Sequence, residues 1–137
     1  MKRNLTMTGA IAALAMFSLA GSALANVPDV RLRARLGSND ALRGSADYRE
    51  RQRDSLFVQR FSVGVENAQP GQTLEVRVNG ALFGTITANA LGRAELEFRT
   101  ATPDNNPQDE EPPLDPNFPR LHAGDAVSIG SLTGTFR

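Results

Sequence analysis

The chain predicts an all-β fold, an antiparallel β-sandwich or small Greek-key barrel of about seven or eight strands. Three observations lead there. Apolar and polar residues alternate with a period of two in several segments, and turn signals separate those segments at short intervals. None of the alternating segments carries apolar residues at the three- and four-residue spacing that a helix would need.

The first element is Val30 to Leu36, where Val30, Leu32, Ala34 and Leu36 point one way and Arg31, Arg33 and Arg35 the other. That is a strand with one buried and one wet face. Next, Gly44, Ala46 and Tyr48 alternate as a strand would; the stretch Ser45 to Asp54 then reads as a strand entering a polar turn, or as a short exposed helix at its Arg/Glu-rich end. The hairpin is preferred, because an isolated helix this short with no apolar face is marginal. Phe57, Phe61, Val63 and Val65 form an inward row interrupted by Gln59. Gln69-Pro70-Gly71 suits a type II turn, Pro setting φ and Gly accepting a positive φ. Leu74, Val76 and Val78 then alternate with Glu75, Arg77 and Asn79, and Asn79-Gly80 is a type I′ hairpin signal. After a turn over Asn89 to Gly92, Ala94, Leu96 and Phe98 oppose Arg93, Glu95, Glu97 and Arg99. Gly130-Ser131 marks the tip of a last hairpin between Val127-Ser128-Ile129 and Leu132 to Phe136.

Two stretches depart from this pattern. At the front, Lys2 and Arg3 precede an apolar run from Ala10 to Ala20 and an Ala23-Leu24-Ala25 site, which together read as a signal peptide cut after Ala25. The run falls short of the roughly 20 apolar residues of a membrane span. The expected mature chain is a single domain over residues 26–137, secreted or periplasmic, with no membrane span. The second stretch, Thr102 to Pro119, is rich in Pro and holds Asp104, Asp109, Glu110, Glu111 and Asp115 with no basic residue. Such composition predicts a solvated, mobile loop.

Missing residue types exclude much chemistry. The chain has no Cys, which removes disulfides, thiol nucleophiles and a lipid-anchored N-terminus. His122 is the only imidazole, too few for a zinc or copper site of the usual kind, and it falls in a turn, Ala123-Gly124-Asp125, as a surface residue. Beyond the leader the net charge is about −2, which gives no case for general nucleic-acid binding.

Three constellations remain. The acidic loop offers oxygen ligands for calcium through Asp104, Asp109, Glu110, Glu111 and Asp115, although the spacing and turn Gly of an EF-hand are missing. Glu95 and Glu97 share a strand face about 7 Å apart, and a carboxylate pair is the minimum for acid–base hydrolysis; Arg93 and Arg99 on the same face favour an ion-pair ladder instead. The row Arg31, Arg33, Arg35 suits a polyanion such as an acidic polysaccharide, protection of an edge strand, or intramolecular pairing to the acidic loop, and protection is preferred.

The order of Leu32-Arg33-Ala34-Arg35-Leu36-Gly37, Gly44-Ser45-Ala46-Asp47-Tyr48, Phe61-Ser62-Val63-Gly64-Val65, Pro70-Gly71 and Gly124-Asp125 resembles the chordin-type (CHRD) domain, an extracellular antiparallel β-module. The His-rich strand end usual in that family is replaced here by Val76-Arg77-Val78-Asn79-Gly80, so the resemblance implies a fold and a setting but no metal or ligand residue. Taken together, the chain reads as an exported, non-catalytic binding or structural module with no cofactor, contacting a protein or an envelope or matrix polysaccharide. The alternatives are a calcium-dependent adhesion module and, behind it, a small hydrolase using the Glu95/Glu97 face.

Overall fold

The computed structural model describes residues 28–37, 41–53, 55–101 and 112–137. The leader, with its cleavage site, and Asp104, Asp109, Glu110 and Glu111 of the acidic loop lie outside the described residues. Eight strands and no helix occur among the described residues: β1 (Val30–Leu36), β2 (Arg43–Arg53), β3 (Leu56–Glu66), β4 (Thr73–Val78), β5 (Ala81–Thr87), β6 (Ala94–Arg99), β7 (Ala126–Ile129) and β8 (Leu132–Thr135). They form two four-stranded antiparallel sheets, a first in the order β1-β2-β3-β6 and a second in the order β5-β4-β7-β8. The fold is the predicted β-sandwich.

The period of two sets which side chains fill the space between the sheets. Leu32, Ala34 and Leu36 of β1, Ala46 and Tyr48 of β2, and Phe61, Val63 and Val65 of β3 meet Leu74, Val76 and Val78 of β4 and Val127 and Ile129 of β7. At one end, Phe61, Phe83, Phe98 and Phe118 form an aromatic cluster with ring centroids 4.7–5.1 Å apart. Edge-to-face contacts of this kind add to the burial of the rings.

Turn chemistry fixes the register. Asn79 and Gly80 both hold positive φ, 49° and 82°, as the β4–β5 hairpin requires. Gly71, at φ 78°, completes the turn opened by Gln69 and Pro70. The Arg-rich stretch after Tyr48 is strand, not helix: β2 pairs with β3 residue by residue from Arg43↔Glu66 to Arg53↔Leu56.

Two features differ from the sequence reading. Residues 112–119, placed in a solvated loop, return to the core instead. Leu114 donates its N–H to the Arg99 carbonyl at 2.8 Å, and Leu114 and Phe118 are buried. The apolar side chains in this part of a Pro- and acid-rich stretch outweigh its average composition. The outer edge of β1 is also not simply a bare edge guarded by charge. The backbones of Arg33 and Arg137 exchange hydrogen bonds at 3.1 and 3.0 Å, joining the first sheet to the chain beyond β8.

Candidate functional site on the outer face of the first sheet

Because β1, β2, β3 and β6 each bury alternate residues, the other half of their side chains meets on one solvent-facing surface. The registers assemble these into rows that cross the strands. One row reads Arg35, Ser45, Gly64, Glu95; the next Arg33, Asp47, Ser62, Glu97; and the third Arg31, Arg49, Arg60, Arg99. Arg43 and Glu66 face each other beyond the first of these rows.

Small residues occupy the centre of this surface and long ones its margins, which leaves an open groove of about 860 Å³. Ser45, Ser62 and Gly64 line its middle, with Arg35, Arg43 and Arg93 among the residues around them. Gly64 does not hold a positive φ, and a Cβ added there would meet only ordinary contacts, at 3.5 Å from Ser45 Oγ and 3.7 Å from the Ala94 carbonyl. The strand therefore tolerates a side chain here, and its absence leaves the groove open. A cleft of this volume falls within the range of ligand sites, but its polar lining suits a hydrated ligand better than an apolar one.

The charges are partly paired. Arg33 Nε lies 2.9 Å from Asp47 Oδ1. Glu97 is in ion-pair contact with Arg60 on the neighbouring strand, and Arg99 Nη2 stands 3.9 Å from the same carboxylate oxygen. The ladder inferred for β6 thus runs mainly across strands, because Arg60 lies beside Glu97 on the pleated surface. Glu95 opens to solvent at the groove. The two glutamates do not face each other across an enclosed cleft.

A second polar cluster lies on the inner side of the same sheet. Glu50 is 3% exposed, although it is an acid on a strand. Its carboxylate accepts hydrogen bonds from the Tyr48 hydroxyl at 2.6 Å and from Arg120 Nε at 3.1 Å, and Arg120 Nη2 reaches its other oxygen. Gln59 donates to the Tyr48 hydroxyl at 3.0 Å and to the Pro119 carbonyl at 3.2 Å. The Arg120 guanidinium also lies 4.6 Å above the Phe57 ring centroid. Burial alone would raise the Glu50 pKa, but the hydrogen bonds from Arg120 and Tyr48 outweigh it and hold the carboxyl below its ordinary value. Burial, reinforced by the Glu50 carboxylate, pushes the Tyr48 phenol up to about 12. This network ties the returning segment 112–121 to β2 and β3; it is an internal clamp. Sequence reading noted Gln59 only as an interruption and missed Glu50 and Arg120, whose partners lie 70 residues apart. A buried-parity Glu and Gln on adjacent strands were the available signal.

The other candidate residues do not come together. Asp115 is exposed, and its carboxylate accepts the Asn117 N–H at 2.7 Å within a local turn. No group of three or more potential metal-ligating side chains occurs among the described residues. His122 is exposed in the turn before β7, its backbone N–H bonded to Asp125 Oδ2 at 2.7 Å. Among the described residues, no helix is long and apolar enough to cross a membrane. No protein-family model and no curated protein sequence matches this chain.

Proposed function

We propose that the chain is an exported, non-catalytic binding module that holds a polysaccharide of the cell envelope or extracellular matrix on the outer face of its first sheet. The observation that carries this reading is the groove itself. It is a polar cleft floored by Ser45, Ser62 and Gly64, on strands whose inner faces are locked into one core. Paired strands hold such a surface in place, and its open shape admits a hydrated ligand. Its engagement of Glu97 with arginines, and the exposure of Glu95, favour binding over hydrolysis. The signal-peptide pattern and the chordin-type resemblance support a setting outside the cytoplasmic membrane.

The test is retention in gels containing soluble polysaccharides, with Gly64→Tyr as the blocked variant. Wild-type protein should be retarded by at least one polysaccharide and the variant should migrate freely with an unchanged melting temperature. No retardation by any polysaccharide, or equal retardation of the variant, defeats the reading. Turnover of a glycan that disappears in Glu95→Gln or Glu97→Gln would move the hydrolase alternative ahead. Export is checked separately, since intact mass should show a mature chain starting at Asn26.

A further inference from the structure

The registers of three strand pairs place Arg31, Arg49, Arg60 and Arg99 side by side, one from each strand of the first sheet. With neighbouring strands about 4.8 Å apart, the row extends roughly 14 Å across the surface. Like charges directly opposite on adjacent strands oppose pairing, so this row works against the sheet that carries it. A sandwich needs only polar residues at these positions. The second sheet meets that need with Thr73, Thr85, Thr87, Thr133 and Thr135, all exposed.

Nearby acids relieve the row unevenly. Glu97 serves the Arg60 and Arg99 end, and Asp47 is taken by Arg33. Arg31 and Arg49, at the other end, have no ion pair among the described residues, and Arg51 adds a further cation one position along the same face of β2. The chain's preference for arginine accounts for the residue type, since Lys2 is the only lysine. It does not account for four arginines in register.

We infer that the row Arg31–Arg49–Arg60–Arg99 is a recognition track for a linear acidic polysaccharide, its guanidinium groups pairing with carboxylates or sulfates on successive sugars. The inference rests on the binding-module reading and names the class of polysaccharide; the track lies on the same outer face, two rows from Gly64 and outside the groove's own lining. Guanidinium forks match such oxyanions in two-point hydrogen bonds. The outer face of this sheet carries no aromatic ring among the described residues: Tyr48, Phe61 and Phe98 all face the core. Neutral sugars and unpaired bases, which are held largely by stacking on rings, therefore find little here. Asp47, Glu97 and Glu95 lie within two rows of the track and would repel a broad polyanion such as a nucleic-acid duplex, while a narrow single chain avoids them.

The experiment compares alginate, a uronate polymer, with neutral dextran in affinity gels and in titration calorimetry. Wild type, Arg31→Ser/Arg49→Ser and Gly64→Tyr are the proteins used. Wild type should bind alginate in preference to dextran, with affinity falling as salt rises. The double arginine variant should lose at least about tenfold in alginate affinity while its melting temperature holds or rises. Dextran binding that survives the arginine changes and is lost in Gly64→Tyr overturns the acidic track and leaves the module reading intact. No binding to alginate overturns the track, and the module reading falls with it only if no other polysaccharide retards the protein. Tighter capture by single-stranded oligonucleotide or by anionic phospholipid vesicles than by alginate also overturns the track.

Discussion

The two outer faces of this sandwich satisfy the same folding rule with different chemistry. Both must present polar side chains to water at every second position. The second sheet does so mainly with hydroxyls, Thr73, Thr85, Thr87, Ser128, Thr133 and Thr135, and with one pair, Glu75–Arg77, at 2.8 Å. The first does so with arginines and acids around a groove, including four arginines in a single row. Hydroxyls on a strand surface suit pairing, and like charges in register oppose it. The fold is thus indifferent to most of what distinguishes the first face, and that indifference is why the proposed ligand is placed there.

The largest expected effect tests whether the faces ride on one core. Phe61 is fully buried and touches the rings of Phe83 and Phe118. Phe61→Ala should cost about 3–5 kcal/mol and lower a single melting transition. Two separate transitions would mean that the sheets are independently stable and that the comparison joins two unlike objects.

Next comes the clamp, which underlies only the first sheet. Glu50→Ala should cost about 1.5–3 kcal/mol, because it removes a charge-assisted bond from Arg120 and the acceptor of a buried phenol. The sign of the pH dependence follows from the folded-state shifts. The Glu50 carboxyl lies below its ordinary value in the folded protein, so its contribution is present above the usual carboxylate range and is lost as pH falls through and below it. The Tyr48 phenol is pushed up to about 12, so its contribution is complete below the ordinary phenol value of about 10 and is lost as pH rises beyond it. Tyr48 is the only tyrosine, so tyrosinate absorbance reads this site alone. A phenol titrating at its ordinary value in the folded protein would contradict the network, and Glu50→Ala should move the titration down.

Smaller effects sharpen the contrast between the faces. Gly64→Tyr should change stability by less than about 1 kcal/mol, since the position is extended and uncrowded. Gly134→Ala is the counter-case, because a Cβ there would come within 2.5 Å of the Arg35 carbonyl; it should destabilise clearly more than Gly64→Tyr in the same melts. Smallest of all, Arg49→Thr gives the first face one of the second face's residues. It should stabilise by about 0.2–1 kcal/mol at low salt, with the gain shrinking as salt rises. Destabilisation at every ionic strength would show that the arginine row supports the sheet.

Most strands were legible because each depends on its own alternation. Leu32, Ala34 and Leu36, or Leu74, Val76 and Val78, report their burial without reference to any partner. The terminal hairpin and the Asn79-Gly80 turn were legible for the same local reason. The arginine row was not. Arg31, Arg49, Arg60 and Arg99 share no spacing along the chain, and only strand order and register bring them together. The clamp was hidden likewise, since Arg120 directly follows a segment whose prolines and acids masked the anchoring by Leu114 and Phe118.

The exchange of backbone hydrogen bonds between Arg33 and Arg137 bears on the order of assembly. Strand β1 pairs early in the chain with β2, a neighbour in sequence, whereas its other edge waits for a partner from the far end. Contacts of such separation form late, after the entropy of closing the whole domain has been met. During that interval β1 is an unfinished edge open to other molecules. Charge on an unfinished edge discourages pairing with another chain, and β1 carries it at every second position, as Arg31, Arg33 and Arg35.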